Sequence, residues 1–149
     1  MIQPLKYLEE LRALGVDFFT GVPDSLLKDF CSCLHNHVST SSHWITANEG
    51  AAVSLALGYH LATGKTPLVY MQNSGLGNSV NPLLSLASPE VYAVPLLLMI
   101  GWRGEPETED EPQHVHQGRV MIDLLRSIEV PFIELSDDFG VAIDQTKYA

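Results

Sequence analysis

Basic side chains are scarce: eight Lys and Arg stand against eighteen Asp and Glu, a formal net charge of −10 over 149 residues. A surplus of that sign repels phosphate backbones and anionic lipid surfaces, so neither nucleic acid nor a membrane is expected as a partner. Cysteine is nearly absent. The two present, Cys31 and Cys33, are too close together to build a disulfide framework and fit a reducing compartment. No run reaches the roughly 18 apolar residues of a spanning helix, and Met1-Ile2-Gln3-Pro4 lacks the basic-then-apolar layout of a signal peptide. A cytoplasmic address is the expectation. There is no internal repeat.

What is present is enough apolar side chain, 46% of the residues, to bury one core in a chain the size of one ordinary domain. Apolar, strand-like runs at residues 16–21, 43–47, 67–72, 94–101 and 131–135 alternate with segments of helical spacing. Those segments include Leu5, Leu8, Leu11 and Leu14, then Leu26, Leu27, Phe30 and Leu34, then residues 51–61, 80–86 and 115–128. Continuously apolar strands separated by helices predict an α/β fold, a three-layer sandwich around a mainly parallel sheet. Such sheets hold ligands beyond the carboxyl ends of their strands. That directs attention to residues 21–25, 48–50, 73–81 and 101–118. The last stretch contains Glu105-Pro106-Glu107-Thr108-Glu109-Asp110-Glu111-Pro112, which reads as a solvated, mobile acidic loop.

Glu49 follows a strand and opens a helix of small residues, Gly50-Ala51-Ala52-Val53-Ser54-Leu55-Ala56. A carboxylate in a first helical turn is commonplace, because the helix dipole favours it. Small residues behind it let the helix approach a neighbour, which would place the carboxylate in a crevice where it can share a proton with a ring nitrogen. The segment Gln72-Asn73-Ser74-Gly75-Leu76-Gly77-Asn78 also follows a strand, where glycines admit a ligand close to the backbone. Its spacing fits no dinucleotide fingerprint, P-loop or serine-hydrolase elbow. Cys31, Cys33, His35 and His37 look like a metal string. On a helix, however, only Cys31 with His35 and Cys33 with His37 share a face, and no metal site is expected on this chain. His114, in the last of the candidate loops, and more weakly His116, are functional candidates by position.

Five blocks in order carry a resemblance. They are Gly21-Val22-Pro23-Asp24-Ser25; Ala47-Asn48-Glu49-Gly50-Ala51-Ala52; Tyr70-Met71-Gln72-Asn73-Ser74-Gly75-Leu76-Gly77-Asn78; Ile100-Gly101-Trp102-Arg103-Gly104-Glu105-Pro106; and Asp110-Glu111-Pro112-Gln113-His114 with Gln117-Gly118. Over residues 4–137 the chain resembles the N-terminal, pyrimidine-binding domain of the phosphonopyruvate decarboxylases, a thiamine diphosphate-dependent family. The resemblance implies a domain over 1–137 and a divergent tail over 138–149. It also implies that Glu49 hydrogen-bonds the cofactor pyrimidine and promotes the tautomer that activates the thiazolium carbon. By the same resemblance Asn73, Ser74, Gly75, Leu76, Gly77 and Asn78 pass beside the cofactor, and Asp24, Ser25 and His114 face the substrate. Arg103 is a candidate contact for a phosphonate group, from its place in a mouth loop of a cation-poor chain.

The resemblance further implies a small 2-oxoacid substrate, 3-phosphonopyruvate, and Mg²⁺ held by a diphosphate-binding domain carrying a Gly-Asp-Gly motif. No such motif occurs here, so the partner domain is expected on another chain or in a longer form, within a homo-oligomer, and the isolated chain is expected to be inactive. Two alternatives stand beside this reading: the α subunit of a sulfopyruvate decarboxylase, and a catalytically inert interaction module.

Overall fold

The computed structural model describes residues 2–149. Pro4, pre-set for a first helical turn and lacking the N–H that would be unsatisfied there, opens α1 (Pro4–Ala13). The chain continues through β1 (Phe19–Gly21), α2 (Lys28–His37), β2 (His43–Ile45), α3 (Glu49–Thr63) and β3 (Leu68–Gln72). A 3₁₀ turn (Asn73–Gly75) leads without a break into α4 (Leu76–Pro82) and a π turn (Leu83–Ala87). Then come β4 (Leu97–Gly101), α5 (Pro112–Ser127) and α6 (Phe139–Tyr148). None of the described helices is long and apolar enough to cross a membrane.

The four strands form one parallel sheet in the order β2-β1-β3-β4, with Phe19 opposite both His43 and Leu68, and Leu68 opposite Leu97. Strand alternation divides the apolar side chains between two cores. Leu68 and Tyr70 point to one, with Leu8 and Leu11 of α1, Leu34 of α2 and Ile143 of α6. Val69 and Met71 point to the other, with Val53 and Leu57 of α3, Leu76 of α4 and Met121 of α5. The three-layer, parallel architecture expected from the sequence is therefore the one observed.

Two segments differ from the sequence expectation. Residues 131–135 form no strand: Pro131 has no N–H to give to a ladder, the run is exposed, and the carbonyl of Glu134 and N–H of Ser136 bond the Gln145 side chain instead. Residues 73–81 are helical rather than a loop, because Leu76, Ser79 and Leu83 recur on one buried face despite the intervening Gly and Asn. The last residues are ordered on the body of the fold. Asp138 caps α6 through Val141 N–H, Ala142 and Ile143 are buried, and Thr146 Oγ1 lies 2.7 Å from Tyr7 Oη.

Candidate active site

The strand order reverses between β1 and β3, and the crevice beyond their carboxyl ends is where an open parallel sheet holds ligands. The chain leaving β1 carries Asp24 and Ser25, the chain leaving β2 carries Glu49, the chain leaving β3 carries Asn73 to Asn78, and the chain leaving β4 carries Arg103.

Glu49 is fixed by its helix. Asn48 caps α3 by accepting the Ala51 N–H at 2.9 Å, which sets Glu49 as the first helical residue. Helix α3 lies close against α4, and two glycines permit the approach: a methyl group at Gly50 would overlap the Asn78 carbonyl, and one at Gly75 would overlap the Glu49 carboxylate. Pro82 has no N–H to return to that Asn78 carbonyl, and the helix widens into the π turn immediately after. The Asn78 side chain donates to Glu49 Oε2 at 2.8 Å. Among the described residues nothing bonds Oε1, so a half-buried carboxylate keeps one oxygen free in a crevice between two helices.

A second group lies over β3 and β4. Asp24 is 7% exposed; its Oδ2 accepts the Leu26 N–H at 3.0 Å, and its buried Oδ1 has no hydrogen-bond partner among the described residues. Gln72 donates to Ser74 Oγ at 2.7 Å and lies 3.5 Å from His114 Nδ1, in the first turn of α5. The Asn73 amide is 3% exposed and clasps the backbone of Arg103, donating to its carbonyl at 2.7 Å and accepting its N–H at 3.3 Å. The Arg103 guanidinium reaches Ser25 Oγ at 2.8 Å and is paired to Asp110 through both carboxylate oxygens. That pairing holds the Asp110 carboxyl far below the usual carboxylate range, first through the hydrogen bonds from Arg103 and then through the N–H groups of Glu111 and Gly104.

The structure thus brings Asp24, Ser25, Arg103 and His114 to one end of the sheet, with Glu49, Gly75 and Asn78 beside α4. The Leu76 side chain is buried in the core, leaving Gly77 and Asn78 exposed. His116 is exposed and lies 3.1 Å from an Arg119 nitrogen, apart from the group. Asp110 was hidden in the sequence. It sits in a run of acids that reads as solvent-facing, and only the three-dimensional return of the loop onto Arg103 distinguishes it from its neighbours. The Cys/His string divides as its helical spacing requires: Cys33 is in the core, whereas Cys31 and His35 line a recess of about 280 Å³ with His43 and Tyr70. Among the described residues no three His, Cys, Asp or Glu side chains are placed to hold a metal ion.

Residues 7–127 match the family described as thiamine pyrophosphate enzyme, N-terminal TPP binding domain. The chain belongs to this family. It is 37% identical to a phosphonopyruvate decarboxylase of Streptomyces hygroscopicus over 92% of its own length, and spans 33% of that relative. It is equally 37% identical to the sulfopyruvate decarboxylase α subunit of Methanothermobacter thermautotrophicus, over 82% of this chain and 71% of the subunit. A thiamine diphosphate-dependent 4-hydroxybenzoylformate decarboxylase of Rhodococcus jostii superposes with a TM-score of 0.53 at 32% identity, over 66% of this chain and 18% of that one. The chain thus spans about a third of the phosphonopyruvate decarboxylase it matches.

A TPP-binding N-terminal domain must receive the cofactor, and the Glu49 crevice fits one part of it. A neutral aminopyrimidine offers ring nitrogens and an amino group; the crevice offers one free carboxylate oxygen, the exposed and side-chain-free Gly77, and neighbouring stretches of α3 and α4 without Lys or Arg. It does not fit a diphosphate. No Lys or Arg lies on α3 or α4 beside the crevice.

Proposed function

We propose that the chain is the pyrimidine-binding half of a thiamine diphosphate-dependent decarboxylase that converts 3-phosphonopyruvate to phosphonoacetaldehyde and CO₂. The observation that carries this reading is the Glu49 carboxylate, oriented by Asn78 through one oxygen and free at the other, against the bare Cα of Gly75. When bound, the cofactor supplies the electron sink into which the electrons of the breaking C–CO₂ bond pass. Glu49 holds and shares a proton at the pyrimidine nitrogen, and Asn78 keeps its carboxylate in register. Gly77 admits the ring and Gly75 admits the Glu49 carboxylate beside it, with Asn73, Ser74 and Leu76 holding the turn that presents them. Asp24 and His114 are the groups available to move a proton at the substrate, Ser25 orients it, and Arg103 takes its anionic head group.

The diphosphate and Mg²⁺ belong to a partner domain, on another chain or in a longer form, within a homo-oligomer of cytoplasmic address. An uncharged face supports that partnership. On a chain of net charge −10, the exposed side chains along α3, α4 and the π turn include Ala51, Ser54, Leu55, Asn81 and Leu84, with no charge among them. The second reading is a sulfopyruvate decarboxylase α subunit, and the 71% share of that subunit favours it.

Turnover by the chain assembled with its diphosphate-binding partner tests the proposal. Faster release of phosphonoacetaldehyde from phosphonopyruvate than of sulfoacetaldehyde from sulfopyruvate supports the first reading, and the reverse order replaces it with the second. Micromolar thiamine diphosphate binding and turnover by the chain alone would contradict both.

A further inference from the structure

The acidic loop after β4 does not float free. Asp110 folds back with its side chain only 12% exposed, and pairs with Arg103, itself 21% exposed, through the Nε and Nη2 edge of the guanidinium. The same carboxylate accepts the N–H of Gly104 and the N–H of Glu111, both at 2.8 Å. Arg103 is also held from behind by Asn73, and its Nη1 reaches Ser25 across the mouth. The Asp110 bonds use the Nε and Nη2 edge, and Ser25 takes one of the two Nη1 N–H groups. Each terminal nitrogen keeps one further N–H to offer the oxygens of a tetrahedral oxyanion.

We propose that Asp110 is a positioning residue for Arg103: it clamps one edge of the guanidinium so that the other is presented, beside Ser25, to the phosphonate or sulfonate head group of the substrate. This rests on the reading of Arg103 as the head-group contact and goes beyond it, because it assigns the orientation to a residue of the acidic loop. An unclamped arginine has several rotatable bonds and must lose that freedom when it binds. The clamp removes this cost in advance. It also has a sign that distinguishes it from simple electrostatics. By Coulomb's law, a negative charge beside the anion site weakens binding, so its removal alone tightens it. If orientation dominates, removing Asp110 weakens binding instead.

The test is a titration of the isotopically labelled chain with methylphosphonate and, separately, methanesulfonate, followed by NMR at the Arg103 Nε–H and the Ser25 amide. This readout tolerates millimolar affinity and needs no cofactor. The wild type is expected to shift saturably with at least one of the two anions, and the tighter one identifies the head group. Asp110→Asn has a single acceptor oxygen, so it keeps only one of the Gly104 and Glu111 N–H bonds and loses the charged clasp, and is expected to bind about tenfold more weakly. Asp110→Glu should recover most of the loss. Asp110→Asn binding as tightly as wild type or tighter, with Arg103→Gln binding nothing, overturns the clamp and leaves the head-group reading intact. Arg103→Gln binding like wild type, or no binding of either anion by wild type, overturns the head-group reading and the clamp with it. A measurement without any variant stands beside these: relaxation of the Arg103 Nε–H should show a side chain as rigid as the backbone, and free rotation there contradicts the clamp.

Discussion

The Glu49 carboxylate lies against the Cα of Gly75, so that a methyl group at 75 would occupy the place of the glutamate's Cγ, Cδ and Oε1. Because Gly75 closes the 3₁₀ turn that follows β3, and Glu49 opens the helix that follows β2, this contact fixes the depth at which the carboxylate sits between two elements.

Gly75→Ala should therefore displace Glu49 and destabilise the fold by about 1–3 kcal/mol, as over-packing of a close contact does. Gly77, two residues on, meets nothing within 4 Å and lies in α4, so Gly77→Ala should be neutral or stabilising by up to about 1 kcal/mol. Denaturant midpoints of the two variants check the contrast.

The C-terminal helix should contribute to the same cooperative unit. Ile143 is 6% exposed among Leu8, Leu11 and Leu34, and Ile143→Ala should cost about 3 kcal/mol by leaving a cavity there. Urea unfolding with an unchanged slope and a lower midpoint is the expected result.

Much of this was legible in the sequence, for identifiable reasons. The central strand Leu68–Gln72 is buried on both faces and so reads as a continuous apolar run, and the spacing of Leu8 and Leu11 reports one helix face. The place of Glu49 in a crevice was legible from the small residues that follow it, which let α3 approach α4, whereas its role came from the family resemblance alone. Asn73 was not. Its amide clasps Arg103, 30 residues away, and nothing local to an Asn-Ser-Gly turn reports such a partner. Asp110 was obscured by the acids around it. Residues 131–135 carried apolar strand composition, but a strand also needs a neighbour to pair with, and that need does not show in the run itself.

Histidine 43 sets a pH dependence. Burial, and then the nearby His35, hold its ring below the ordinary value, so the folded state favours the neutral form, with Nε2 2.9 Å from Tyr70 Oη. The folded value lies below the unfolded one. Stability from this group is therefore complete above an unfolded value of about 6.5 and is lost as pH falls through the folded value. The difference in denaturation midpoint between wild type and His43→Gln, measured in steps from about pH 8 to about pH 5, should shrink as the pH falls.

The uncharged face along α3, α4 and the π turn should drive association, while the net charge of −10 opposes it. Salt screens the repulsion and leaves the apolar contact, so sedimentation equilibrium should show dimers or larger species increasing with ionic strength. Substituting Leu55→Glu and Leu84→Glu together, at two exposed apolar positions of that face, should return the chain to monomer.

Hydrogen–deuterium exchange at the thiazolium carbon of thiamine diphosphate tests the role of Glu49 most directly, in the chain assembled with its diphosphate-binding partner. Glu49→Gln keeps the shape of the side chain and its contact with Asn78 but cannot share the proton, and exchange should slow by on the order of a hundredfold or more while the fold and the cofactor stoichiometry are retained. Exchange at the wild-type rate in that variant, with the cofactor bound, would contradict the account.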